Sequence, residues 1–174
     1  HMHNRHNSGF LFLDYLLQNT DQNNTFTSQT KLDSLTCPIT IDTFPVLLLK
    51  PQTYMNSSGM AVAKAVHYYH LQLEHDLVLI HDDLDLTLGE YKIQFGKGPH
   101  IHNGINSVTL SLGTSNFWRV RIGIAGKSYQ EIKDKQLSMA ENYILKDFSK
   151  SELKQLEIVF FAIMPEIKTL LNKL

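Results

Sequence analysis

The chain has 174 residues, 43% hydrophobic and 19% charged, with a formal net charge of −1. This is the make-up of an ordinary globular protein long enough for one substantial core, and it excludes a bulk polycation, so any nucleic acid must be held by a local basic patch. The single cysteine, Cys37, excludes an internal disulfide framework, and no apolar run reaches the length of a membrane span.

Residues 8–18 are predicted to be helical because Phe10, Leu13, Leu16 and Leu17 recur on one face. The Asn/Gln/Thr-rich stretch 19–28 reads as a loop. Short strands are expected at 31–35 and 44–50, with Cys37-Pro38 in the turn between them, and Pro51 ends the second. A helix over 59–69 places Val62, Ala65, Val66 and Tyr69 along one side. The run Leu77-Val78-Leu79-Ile80 is pure enough to predict a buried strand. Its end delivers His81-Asp82-Asp83-Leu84-Asp85, and in open α/β sheets chemistry gathers at strand ends.

A strand over Tyr91–Phe95 and a loop marked by Gly96, Gly98 and Pro99 follow. A helix over 104–112 is closed by Gly113. Residues 117–125 alternate as a strand, and one or two helices lead from a polar connection at 126–138 to Leu174. Strand and helix alternate, which predicts an α/β fold: one three-layer domain over 1–174, with a mixed central sheet flanked by helices.

Three of the helices are preceded by amide-bearing pairs: His6-Asn7, Met55-Asn56 and His102-Asn103. Asn is a strong N-cap, so any one pair reads as capping. Three together, two of them with histidine, point to a shared site. Helix N-termini offer free N–H groups and the positive end of a dipole, where negative charge can develop. A histidine oriented by a carboxylate and flanked by amides can activate water without a serine or cysteine nucleophile. Cys37 reads as structural, and His67, His70 and His75 read as surface histidines. A metal hydrolase is the competing enzyme reading, because His81, Asp82, Asp83, Asp85, His100 and His102 carry oxygen and nitrogen donors. No compact motif such as His-Glu-x-x-His supports it.

The block 50–59 (Lys-Pro-Gln-Thr-Tyr-Met-Asn-Ser-Ser-Gly) resembles the signature of the bacterial-type peptidyl-tRNA hydrolases. So do Arg5-His6-Asn7-Ser8-Gly9-Phe10, His81-Asp82-Asp83-Leu84-Asp85, His102-Asn103-Gly104 and residues 117–124. Five blocks stand in the family's order. The resemblance implies a monomeric cytoplasmic esterase, with no metal or other cofactor, that cleaves the ester between peptide and tRNA and so recycles tRNA. It implies His6 as catalytic base and Asp82 as the carboxylate that orients it. Asn7, Met55, Asn56, His102 and Asn103 are implied to bind substrate or water. The tRNA would meet basic residues, with Lys92, Lys97, Arg119, Arg121, Lys127, Lys133 and Lys135 as candidates, although Arg119 and Arg121 could equally pair with a carboxylate. The 126–140 segment is expected to form a flap over the peptide channel.

Two departures accompany the resemblance. Family members place a strand and a Gly-Asn-Pro-Gly loop before the Arg-His-Asn block, and both are expected to be missing here. The family also has glycines where this chain carries His100 and Ile101. The alternative function is therefore a catalytically impaired RNA- or tRNA-binding relative.

Overall fold

The structure, a computed structural model, describes residues 3–99, 102–130 and 137–174. His3 and Asn4 lead into a short turn at Arg5–Asn7 and then helix α1, Ser8–Gln18. Three strands follow, β1 (Thr27–Gln29), β2 (Ser34–Ile41) and β3 (Phe44–Pro51), joined as an antiparallel sheet in the order β1-β2-β3. A turn at Met55–Ser57 opens α2 (Ser58–Tyr69), and the short α3 (Leu73–Asp76) precedes β4 (Val78–Thr87). Next come β5 (Tyr91–Phe95), α4 (Asn103–Leu112) and β6 (Trp118–Ala125). The C-terminal part holds α5 (Lys127–Gln130), α6 (Leu137–Ile144) and α7 (Lys150–Leu171). The second sheet has the order β4-β6-β5, with β4 parallel and β5 antiparallel to β6, so it is mixed.

The fold class is α/β as expected, and the strands fall into two three-stranded sheets. Helix α1 and the end of β3 at Pro51 lie where the sequence places them, as does α4 with Gly113 at φ +69° behind it. Three expectations need correction. Cys37 and Pro38 lie inside β2, not in a turn. Proline is tolerated there because β1 pairs only with Ser34, Leu35 and Thr36, so the side of Pro38 that lacks an N–H faces no strand. The strand at 77–80 extends through the carboxylates to Thr87, so Asp82 and Asp83 lie within β4 and not beyond it. Finally, β6 is buried on both faces from Arg119 to Ala125, as befits the middle strand of its sheet.

One apolar cluster joins α1 and α7 to β2, β3 and β6 through Phe12, Ile39, Ile122 and Ile163. A smaller one lies on the other side, where Val62, Val108 and Phe117 join α2 and α4 to β6's start. Two glycines set the close approaches that frame the site. A Cβ on Gly9 would fall 2.3 Å from the main-chain oxygen of Ile80, so only glycine lets α1 begin against β4. A Cβ on Gly59 would fall 2.1 Å from the oxygen of Ser107, and its absence lets α2 lie against α4.

Candidate active site

The turn that carries His6 is fixed by its neighbour. The buried Arg5 donates from Nη1 to the main-chain oxygens of Lys146 (3.0 Å) and Asp147 (2.8 Å). Its Nη2 donates to both carboxylate oxygens of Glu152, at 2.7 and 2.9 Å. The guanidinium also lies over the Tyr143 ring, 4.4 Å from the centroid. Glu152 completes a capping box with Ser149 at the start of α7. The loop holding His6 is thereby tied to the C-terminal helices by a charge-assisted pair in which one guanidinium nitrogen is shared by both carboxylate oxygens.

Asp82 is the centre of the site. Its Oδ1 accepts from His6 Nδ1 at 2.8 Å and from His102 Nε2 at 3.0 Å. The two imidazole centroids are 5.0 Å apart. Burial alone would push the Asp82 carboxyl up, but the charge of His102 and the hydrogen bonds from both histidines outweigh it and hold the group well below the usual carboxylate range. Asp82 is therefore an anion at neutral pH.

The tautomers follow from the partners. His102 is the N-cap of α4, and its Nδ1 accepts from the Ile105 N–H at 3.2 Å. A nitrogen that accepts carries no proton, so the proton of the neutral ring sits on Nε2, facing Asp82. Burial disfavours the charged form of His102, yet the neighbouring Asp82 raises its pKa above the ordinary histidine value. Protonation would put a second N–H against that of Ile105, so the cap opposes the rise. On the His6 ring the Asp82 bond fixes the proton on Nδ1 and leaves Nε2 as the lone pair. Behind them His81 donates from Nδ1 to the main-chain oxygen of Asp82 at 2.7 Å, and its pKa falls to about 3, chiefly because it is buried. Its Nε2 is buried with no hydrogen-bond partner among the described residues.

Asp83 belongs to a separate structural pair. Arg121 Nε donates to its Oδ2 at 2.6 Å and Arg121 Nη1 to Gln94 Oε1 at 2.8 Å. This is the carboxylate pairing that the sequence leaves open for Arg121. Arg119 is 2% exposed and lies over the Phe117 ring at 4.2 Å. Neither arginine is on the surface, because β6 has both faces covered. Lys92, Lys97 and Lys127 are exposed. Lys133 and Lys135, with His100 and Ile101, lie outside the described residues, as does the middle, 131–136, of the flap expected over 126–140.

His6, Asn7, Met55, Asp82 and His102 all line one cavity. Asn56 and Asn103 are exposed and are not among the residues lining it, although they stand in the turn and helix start that carry Met55 and His102. The amides do not cap as the sequence suggests. Asn7 and Ser57 stand at the N-caps of α1 and α2 without a side-chain capping bond, and α4 is capped by His102 instead of Asn103. Sequence reading missed Arg5 as the clamp on the His6 turn. The Ser149-x-x-Glu152 pattern was a visible signal for the capping box but not for its distant partner.

His6, Asp82 and His102 offer donor atoms within 4.8 Å of one another, enough to ask whether they suit a metal ion. A ligating imidazole gives its lone pair to the metal and donates its other N–H outward. His102 is arranged the opposite way, with its Nδ1 taken by the Ile105 N–H. The set suits proton transfer better than ligation.

An α/β fold that holds an ionised carboxylate against two imidazoles, one with an open nitrogen, has the equipment of a water-activating hydrolase. The family model for peptidyl-tRNA hydrolase matches residues 1–174, and the chain belongs to that family. It is 37% identical over 160 residues to the peptidyl-tRNA hydrolase of Beijerinckia indica, covering 92% of this chain and 75% of that one. With that of Brucella suis it shares 35% over 175 residues, covering 98% and 66%. The crystal structure of peptidyl-tRNA hydrolase from Acinetobacter baumannii superposes with a TM-score of 0.86 at 26% identity, covering 99% of this chain and 82% of the other.

Proposed function

We propose that the chain hydrolyses the ester between peptide and tRNA in peptidyl-tRNA, with His6 as general base and no metal. The observation that carries this reading is the Asp82 carboxylate shared by His6 Nδ1 and His102 Nε2. Water attacks the ester carbonyl as His6 Nε2 takes its proton. The positive charge formed on the ring lies against ionised Asp82, and the same proton then passes to the departing ribose oxygen. Asn7, Asn56 and Asn103 supply amide donors for the water, the carbonyl or the oxyanion, while Met55 walls the cleft. His102 holds Asp82 from the far side and so fixes the orientation of His6. The tautomer of His102 supports the metal-free form of this reading.

The exposed Lys92, Lys97 and Lys127, joined by Lys133, are the first contacts for tRNA phosphates, and such contacts weaken steeply with salt. Arg119 and Arg121 support the same strand from inside. The apolar cluster that joins the chain's early and late elements supports one domain over 1–174. We also infer a monomer working in the cytoplasm; no helix among the described residues is long and apolar enough to cross a membrane. The test is hydrolysis of a defined peptidyl-tRNA by the wild type, with and without chelator, beside His6→Ala. Chelator-resistant hydrolysis lost in His6→Ala supports the reading, and full activity in His6→Ala overturns it.

A further inference from the structure

The turn that carries His6 has few bonds of its own. Its main chain closes through Asn7 N–H to the Asn4 oxygen at 3.0 Å and Ser8 N–H to the Arg5 oxygen. Neither Asn4 nor Asn7 adds a side-chain cap. Arg5 supplies the long-range fixings. Its main-chain N–H donates to the Lys146 oxygen at 3.1 Å, beside the guanidinium bonds to Lys146, Asp147 and Glu152. Arg5 and His6 are neighbours in the chain, so any rotation of the Arg5 main chain carries the imidazole with it.

Through Tyr143 the same anchor reaches β6. The Tyr143 ring lies under the guanidinium, and its buried hydroxyl donates to the Ile124 oxygen and accepts from the Gly126 N–H, both at 2.9 Å. Glu152 closes on that point too: a Cβ on Gly126 would fall 3.0 Å from Tyr143 Oη and 3.2 Å from Glu152 Oε1. Asp82 takes its place from β6 as well, because β4 pairs with that strand and Asp82 stands opposite Ile122. One strand therefore sets both halves of the His6–Asp82 bond, the acceptor at Ile122 and the donor at Ile124 and Gly126. Buried core strands open least, which makes β6 a firm reference.

We propose that Arg5, Tyr143 and Glu152 are positioning residues for the hydrolytic reaction, which hold His6 in register with Asp82 by anchoring its turn to β6. The proposal rests on His6 as the general base. None of the three touches the reacting atoms, yet misplacing a catalytic group by about 1 Å can cost on the order of 10²-fold in rate. A ring that slips off Asp82 loses both its fixed tautomer and the charge that offsets its protonated form. Position 5 requires a guanidinium. Two main-chain oxygens and a carboxylate are served at once by its planar fork, and the ring of Tyr143 by its flat face. A lysine there would keep the charge but is a compact point donor that cannot span those partners. The exposed Lys168–Asp42 pair, also on α7, has no such route to His6 and serves as the contrast.

The test joins kinetics on peptidyl-tRNA to the magnetic resonance signal of the His6 Nδ1 proton, assigned by its absence in His6→Ala. Arg5→Lys keeps the charge, and Glu152→Gln keeps the capping box at the start of α7. Tyr143→Phe keeps the ring under Arg5 and removes only the grip on β6. Lys168→Gln is the control, because exposed ion pairs are worth little. Arg5→Lys should lower kcat by about 10–100-fold, and the other two by less, with KM unchanged and the Nδ1 signal displaced or broadened. In a His6→Ala background Arg5→Lys should cost no further activity, because it acts only through His6. Lys168→Gln should match the wild type throughout. If Arg5→Lys does not fold, Glu152→Gln and Tyr143→Phe decide by the same measures. An undisturbed Nδ1 signal in the folded variants, or an Arg5→Lys loss that persists without His6, would overturn the proposal. A fully active His6→Ala would instead sink the general-base reading, and a displaced Nδ1 signal would still uphold the anchor on His6.

Discussion

The two ends of one cavity are built on opposite principles. At one end His6, Asp82 and His102 form a polar cluster in which each hydrogen-bonding direction of the carboxylate's Oδ1 is used and the ring protons are assigned. Along the other, apolar side chains of β3 and β4 line the cavity, and each strand pairs on one side only among the described residues. The polar end is held by hydrogen bonds between particular atoms, and the apolar end by side-chain packing. Chemistry should therefore depend on single atoms at the first end, while stability should be insensitive to single side chains at the second.

The largest effects are expected at the polar end. His6→Ala should lower kcat/KM on peptidyl-tRNA by about 10²–10⁴-fold, the usual worth of a general base, with little change in Tm. A rate assay beside a thermal melt checks both halves of that expectation. Asp82→Asn should come next, because an amide that replaces Oδ1 cannot accept from both imidazoles and loses the charge that offsets protonated His6. A drop in kcat with KM nearly unchanged is the expected pattern.

Core truncations sharpen the contrast between the two ends. Ile122 in β6 is fully buried, so Ile122→Ala should cost about 2–5 kcal/mol in denaturant unfolding. Leu79→Ala, half-buried on the cavity wall, should cost no more than about 1–2 kcal/mol. Equal losses would show that Leu79 is packed as tightly as Ile122.

The smallest effect is in the pH dependence of stability. The folded His81 titrates near pH 3 against about 6.5 unfolded, so the unfolded chain binds the extra proton first as pH falls. Its contribution to stability is complete above about pH 6.5 and is lost as pH falls toward 3. His102, whose pKa is raised, acts in the opposite direction, and Asp82 acts below the ordinary carboxylate range. The difference between wild type and His81→Gln isolates the His81 part. Melts between pH 7 and 5 should show a smaller acid loss in the variant.

Much of the polar end was legible because its parts are local. His6 and Asp82 stand in short blocks whose resemblance to the family paired them, and α4 ends at a glycine where a left-handed residue is needed. What escaped depended on distant partners. Arg5 finds Glu152 across 147 positions, and nothing near either residue marks the pair. His102 displaces Asn103 as the cap because its ring also reaches Asp82, a tertiary contact that overrides the usual capping preference. Pro38 could be placed in β2 only with the length of β1 known. The half-burial of 77–80 was hidden for a related reason: the run reads as buried on both faces, and hydrophobic pattern does not tell how many edges of a strand are paired.

The most direct measurement is single-turnover hydrolysis of a defined peptidyl-tRNA by chelator-treated wild type, His6→Ala and Asp82→Asn. Retained wild-type rate, with both variants slowed at least a hundredfold while their melts match the wild type, is the result expected of water activated by His6 against Asp82. Loss of the wild-type rate on chelation, or a His6→Ala protein that keeps it, would contradict the account.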